Sequence, residues 1–254
     1  MVKYIPSDFA IFFDDGGVMN DNNLRGVQWQ KLVGEFFIPK YGGEAHKWAE
    51  GNFKFINQFI AEEMELTSNN GELPEYKEYY ANFQSRWITD MFEYVGIQIP
   101  PKNLHKKIFL EATDYITPNI KASFPGVIEA IRRLYSRGFR LFTASAEHSH
   151  ELKGYLRGMR VKDCFENFYG PDLINTHKDE EKYFERIFKD LNLNPKMAIV
   201  VEDNLMYLKA AENTGATVVQ ACLTGKHKQE YRHYVEHMSN LPEIIEKIVK
   251  KIKR

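Results

Sequence analysis

The sequence predicts an α/β fold, a parallel sheet interrupted after its first strand by an all-helical insert. Three observations carry that prediction. A continuously apolar run, Phe9 to Phe13, lies near the N-terminus. Three further apolar runs alternate with helical segments from about residue 124 onward. Between residues 21 and 121 no convincing strand run occurs. Alternating strands and helices imply crossover connections and a parallel sheet. A chain of 254 residues suffices for one large domain or two of ordinary size.

The elements can be justified in order. Phe9 to Phe13 suits a strand covered on both faces, because parallel strands read as unbroken apolar runs rather than alternating ones. The insert, residues 21–121, reads as helices over Leu24 to Phe37, Glu44 to Met64, Pro74 to Val95 and Pro101 to Ile116. Turn-forming breaks separate them at Tyr41-Gly42-Gly43, Ser68-Asn69-Asn70-Gly71 and Ile99-Pro100-Pro101. Trp29, Trp48 and Trp87 all fall in the insert, and with Phe36, Phe37, Tyr79 and Tyr80 they are expected to pack helix on helix. Strands follow at Phe139 to Ala144, Met197 to Val201 and Thr217 to Ala221, with helices at Pro125 to Ser136, Ser149 to Arg157, Glu180 to Leu191 and Leu205 to Asn213. The basic C-terminus carries Ile244, Ile245, Ile248, Val249 and Ile252 at helical spacing, as expected of a docked amphipathic helix. The organisation is therefore a core of residues 1–20 and 122–254 around a helical domain of residues 21–121.

Composition excludes several classes. With 34 basic and 35 acidic residues the net charge is -1, so no nucleic-acid footprint is expected. No apolar stretch reaches the length of a membrane span, and Met1 to Asp8 holds no leader-like run, so a cytoplasmic protein is expected. Cys164 and Cys222 lack metal or disulfide spacing and read as small buried apolar residues. His148-Ser149-His150 matches no ligand pattern and reads as an ordinary helix start.

The chemistry-bearing residues sit where strands end. Asp14 and Asp15 follow the first strand, Ser145 and Ala146 the second, and Glu202-Asp203 the run ending at Val201; Thr176-His177-Lys178 lies at the start of a helix. Ligands of open parallel sheets bind at the carboxyl ends of strands. Strands lying side by side would bring together a carboxylate, a hydroxyl, an ammonium and a carboxylate pair. Each residue also has an ordinary reading. Asp14, Ser145 and Asp203 could be turn or capping residues, and Lys178 a surface lysine, with Lys182 close by.

In that order and spacing the stretches resemble the haloacid dehalogenase superfamily, whose members are mostly Mg2+-dependent phosphatases acting through an aspartyl-phosphate. Phe13-Asp14-Asp15-Gly16-Gly17-Val18 resembles the first motif, and Phe124-Pro125-Gly126-Val127 the approach to the second strand. Gly138 to Ser145 resembles the second motif, Lys178 before Phe184 the third, and Val200 to Asn204 with Ala210-Ala211 and Gly215 the fourth. The resemblance covers the core, and the insert is similar to the family's helical cap, expected to open and close over the site about hinges near Met19 to Asn23 and Asn119 to Ser123. It implies a Rossmann-like core and a Mg2+-dependent hydrolase of a small phosphorylated molecule, with no nucleic-acid or membrane partner and a monomer or homodimer. It places the nucleophile at Asp14, and Asp15, next along an extended chain, would point the other way. Asp14, the Gly16 carbonyl and Asp203 would supply metal oxygens, with Glu202 behind them. Lys178, Ser145, Ala146, Gly16 and Gly17 would surround the phosphoryl group.

The pattern departs at one place. Where the family's phosphatases carry a second aspartate as general acid/base, two residues after the nucleophile, this chain has Gly16. Such a group contributes roughly 10²–10⁴-fold. Its loss spares substrates with good leaving groups, such as aryl or acyl phosphates, more than sugar phosphates. Asp15, Asp21 or an insert side chain could substitute. Alternatively the chain is a dehalogenase, which needs neither that aspartate nor a metal, or a phosphate-binding protein with little turnover.

Overall fold

The computed structural model describes residues 5–68, 74–178, 181–225 and 228–252. The break expected at Asn69-Asn70-Gly71 lies outside them. The chain divides into two compact units, one of Met1–Asn22 with Ala122–Arg254, the other Asn23–Lys121.

The first unit holds a sheet of β1 (Ala10–Phe13), β2 (Arg140–Ala144), β3 (Asn167–Tyr169), β4 (Ala198–Glu202), β5 (Thr217–Ala221) and β6 (Tyr234–Val235). All neighbours pair parallel, in the order β3-β2-β1-β4-β5-β6. The order therefore runs outward in one direction from β1 through β2 and in the other from β4, which makes the gap between β1 and β4 the switch point.

Why β1 is a strand follows from its burial. Successive side chains of a strand face opposite ways. Ile11 and Phe13 join Phe9, Leu141, Ile199, Val201 and Val219 in one apolar cluster, while Ala10 and Phe12 join Phe142, Val200 and Val218 in the other. Both faces are covered, so an alternating pattern would have put polar groups in a core.

Ten α-helices complete the described chain. The second unit is built from α1 (Asn22–Tyr41), α2 (Ala45–Ser68), α3 (Tyr76–Val95) and α4 (Lys102–Ile116). The first unit adds α5 (Val127–Ser136), α6 (Ser149–Gly158), α7 (Pro171–Ile174), α8 (Glu181–Asp190), α9 (Leu205–Asn213) and α10 (Leu241–Ile252). In α10, Leu241, Ile245, Ile248 and Val249 enter the first cluster, so the apolar stripe of the basic tail is core. Tyr183, Phe184, Ile187 and Phe188 of α8 enter the second cluster.

The second unit has its own aromatic core. Phe37 stacks on Trp48 at 4.5 Å and meets Trp87 and Phe92, and Trp87 meets Phe109. The indole N–H of Trp48 donates to the Gly42 carbonyl and that of Trp87 to Asn52 Oδ1, each at 2.9 Å, so neither buried donor is left unpaired. Helix α1 runs four residues past the expected Phe37, through Pro39, because its last turn still gains the bond from the Gly42 amide to the Ile38 carbonyl.

Two expectations change. Cys164 and Cys222 are free but only partly buried. The fourth strand begins at Ala198, since Pro195–Met197 forms a 3-10 turn capped by the Asn194 side chain. Among the described residues no helix is long and apolar enough to cross a membrane.

Candidate active site

Phe13 pairs with Thr143 on one side and Val201 on the other, so the ends of β1, β2 and β4 are level. Asp14 follows β1 and stays tied to β4 through its amide, which donates to the Val201 carbonyl at 3.0 Å. Its side chain meets Lys178, whose Nζ lies 2.8 Å from Asp14 Oδ1 and 2.5 Å from Glu202 Oε2. Lys178 is buried at 4% exposure, whereas Lys182 is exposed. Of the two lysines, then, Lys178 is the one at the carboxylates. It precedes α8 rather than starting it.

Asp15 leaves on the other side. It is wholly buried, and its Oδ1 accepts from Asn20 Nδ2 at 2.8 Å. Its carbonyl accepts from the amides of Met19 and Asn20, and the Gly17 amide donates to the Asn20 carbonyl. Asp15 thus closes the loop that carries Gly16 and Gly17. Gly17 has φ +81, and a Cβ there would overlap the Asp203 carboxylate. Only glycine fits, both for its backbone and for the nearness of Asp203.

Glu202 ends β4, fully buried. Its Oε1 accepts from the amides of Asp203 and Asn204, both at 3.0 Å. The cap of α9 is Asn204, whose side chain accepts from the Met206 amide, so Asp203 is not a capping residue. One oxygen each from Asp14, Glu202 and Asp203 lie within 4.8 Å of one another.

The electrostatics follow from burial and charge. Desolvation pushes the Lys178 ammonium down, but Asp14 and Glu202 outweigh it and hold it above its usual range. Burial and then the Asp14 charge push Glu202 up to about 8, against the pull of Lys178. Asp14 and Glu202 thus share the Lys178 ammonium, with Asp203 beside them. All-oxygen donors with surplus negative charge suit a hard divalent cation such as Mg2+.

Ser145 is buried just past β2, its amide donating to the Tyr169 carbonyl at 3.1 Å, and Ala146 is exposed. Ser145 does not cap α6; His148 does, accepting from the His150 amide. The loop is fixed at three points. Tyr183 Oη donates to the Ser145 carbonyl at 2.8 Å. Ser149 gives its amide and hydroxyl to the two oxygens of Asp172, at 2.8 and 2.7 Å. At Gly170 a Cβ would overlap the Glu147 carbonyl. Tyr183 and Tyr207, whose ring lies 4.9 Å from Lys178 Nζ, were not expected at the site. Tyr183 has a faint signal, a hydroxyl among the apolar residues of its helix face; Tyr207 has none.

Comparisons with known proteins bear on the family and the fold. The haloacid dehalogenase-like hydrolase family model matches residues 56–221, a stretch holding Ser145, Lys178, Glu202 and Asp203 but not Asp14. A Clostridium perfringens protein provisionally named pyrophosphatase PpaX is 22% identical over 208 residues, which cover 82% of this chain and 80% of that protein. The magnesium-bound structure of YfnB from Bacillus subtilis, provisionally a HAD-hydrolase, aligns at TM-score 0.64 and 12% identity, covering 93% of this chain and 98% of that one. The 2-haloacid dehalogenase of Pseudomonas syringae aligns at TM-score 0.63 and 14% identity, covering 94% and 98%. At such identities the structural likeness speaks for the fold, while the family match spans more than half of the sequence. The chain belongs to the haloacid dehalogenase-like hydrolases.

Proposed function

We propose that the protein is a Mg2+-dependent hydrolase of a small phosphorylated molecule, with Asp14 as its nucleophile. One observation carries the reading: Lys178 is buried between Asp14 and Glu202, beside Asp203, at the switch point of the sheet. An anionic nucleophile attacking a phosphoryl group meets like-charge repulsion, and positioned cations lower that barrier. Asp14, Asp203 and the Gly16 carbonyl would hold the metal, whose chemistry is charge neutralisation on the phosphoryl oxygens.

The chain's own groups account for the rest. Asp14 attacks phosphorus, and the bond to the leaving oxygen breaks. Lys178 holds the Asp14 carboxylate and neutralises a phosphoryl oxygen. The Ser145 hydroxyl and the Ala146 amide donate to the same oxygens. Glu202 sits with both oxygens engaged, orienting Lys178 and the turn that carries Asp203.

Gly16 favours a second reading, a 2-haloacid dehalogenase, because that chemistry needs no acid at this position. Against it, a metal-free displacement gains nothing from Glu202 and Asp203 beside the nucleophile. The test is hydrolysis of p-nitrophenyl phosphate with and without Mg2+, by wild type and Asp14→Asn. The expected result is Mg2+-dependent turnover reduced by about a thousandfold or more in the variant. No turnover by folded wild type, with halide released from a 2-haloacid, would overturn the proposal in favour of the second reading.

A further inference from the structure

Phosphoryl transfer through Asp14 has two halves, and the geometry serves them unequally. In the first, the leaving group departs with the bonding electron pair. An acyl phosphate releases a carboxylate, whose conjugate acid has a pKa near 4. A phosphoric anhydride releases phosphate, an oxyanion whose charge is spread over its oxygens. Neither needs a proton at neutral pH. An alkyl phosphate would release an alkoxide, as poor a leaving group as hydroxide, and must be protonated as the bond breaks.

In the second half, water attacks the phosphorus of phospho-Asp14, the P–O bond to Asp14 breaks, and Asp14 regains its electron pair as carboxylate. A positioned base takes the water proton and contributes roughly 10²–10⁴-fold. Without one, that proton is lost to solvent.

The position at which the resemblance places the group serving both halves holds glycine. Gly16 has no side chain, and Asp15 is buried and held by Asn20. Among the described side chains gathered at Asp14, Lys178 bridges two carboxylates, and both Glu202 oxygens accept hydrogen bonds. Asp203 stands against Gly17, on the face proposed for the metal.

We infer that the protein acts on acyl phosphates and phosphoric anhydrides rather than alkyl phosphates, and that phospho-Asp14 accumulates during turnover because its hydrolysis is the slow half. The inference rests on the phosphatase reading above.

Rapid mixing of the full chain with p-nitrophenyl phosphate and Mg2+ tests it. The expected trace is a burst of close to one p-nitrophenolate per chain, then a slower steady rate. Intact-mass spectrometry of the quenched protein gains one phosphoryl group, and hydroxylamine removes it, as for an acyl phosphate. With acetyl phosphate the steady rate exceeds that with glycerol phosphate by a hundredfold or more. Gly16→Asp should raise the steady rate at least tenfold and shrink the burst; Gly16 is not among the positive-φ glycines, so its backbone accepts a side chain. Steady turnover by wild type with neither burst nor phosphoprotein overturns the inference and leaves the phosphatase reading standing. It would also reveal that a residue elsewhere supplies the base. Wild type that releases no p-nitrophenolate and gains no mass overturns both.

Discussion

Adjacent carboxylates at a strand end face opposite sides of the sheet, and at Asp14 and Asp15 the two sides are chemically unlike. Asp14 meets Lys178 and the end of β4; Asp15 meets Asn20 within its own loop. Replacing each by asparagine separates their roles. Asp14→Asn should leave no phosphoprotein. Asp15→Asn should still form one, but lower stability by about 1–3 kcal/mol, because the buried bond to Asn20 is weakened; thermal melts and intact mass check the pair. The reverse pattern would shift the motif by one residue. Gly17→Ala tests the neighbouring constraint. Its Cβ would need the space of the Asp203 carboxylate, at a φ of +81 that alanine resists. The expected outcome is at least a tenfold rise in the Mg2+ concentration for half-maximal rate, read by titration. An unchanged titration would remove Asp203 from the metal site.

At the scale of elements, the site depends on a loop that is rigid for reasons outside itself. The Ser145 carbonyl is bonded by Tyr183 of α8, and Ser149 by Asp172 of α7. Tyr183 is fully buried beside Lys178, and its phenol is held above its usual range, first by desolvation, so it stays a donor. Tyr183→Phe keeps the packing and removes only the hydroxyl, with its bonds to the Ser145 and Tyr169 carbonyls. A net hydrogen bond of about 1 kcal/mol corresponds to a roughly fivefold loss in kcat. A purely structural role would lower the melting temperature and leave kcat per folded molecule unchanged. The same scale explains what the sequence made legible. β1, β2, β4 and β5 are apolar runs, and the site residues lie where those runs stop, so Asp14, Ser145, Glu202 and Asp203 could be read off directly. β3 and β6 were not expected. They have three and two residues at the sheet edges, too short for any period to form. Asp172, Tyr183 and Tyr207 act through contacts between elements far apart in sequence, which spacing along the chain does not encode.

For the whole molecule, the insertion of residues 23–121 into a parallel sheet poses a connection problem that both units solve at their own ends. In the first unit Asn20 pairs antiparallel with Ser123, the Asp21 amide donates to the Ala122 carbonyl at 2.8 Å, and the Phe124 amide donates to the Met19 carbonyl at 3.0 Å. In the second, the Gln28 side chain bonds both the amide and the carbonyl of Lys121, at 2.6 and 3.0 Å. Each unit also has its own apolar core, so the conditions for independent folding are met. The antiparallel bridge of Asn20 with Ser123 brings the two segments together as in a hairpin, which a loop of a few residues closes. Excising residues 23–121 and joining Asn22 to Ala122 through a short Gly/Asn linker should therefore give a protein that melts cooperatively. Its amides in β1 should remain the slowest to exchange, since that strand is paired on both sides and its side chains are wholly buried. A broad melt with no protected amides in β1 would mean that the sheet needs the insert to fold. Residues 19–23 and 119–123 would then be structural joints rather than the hinges their position in the sequence suggests.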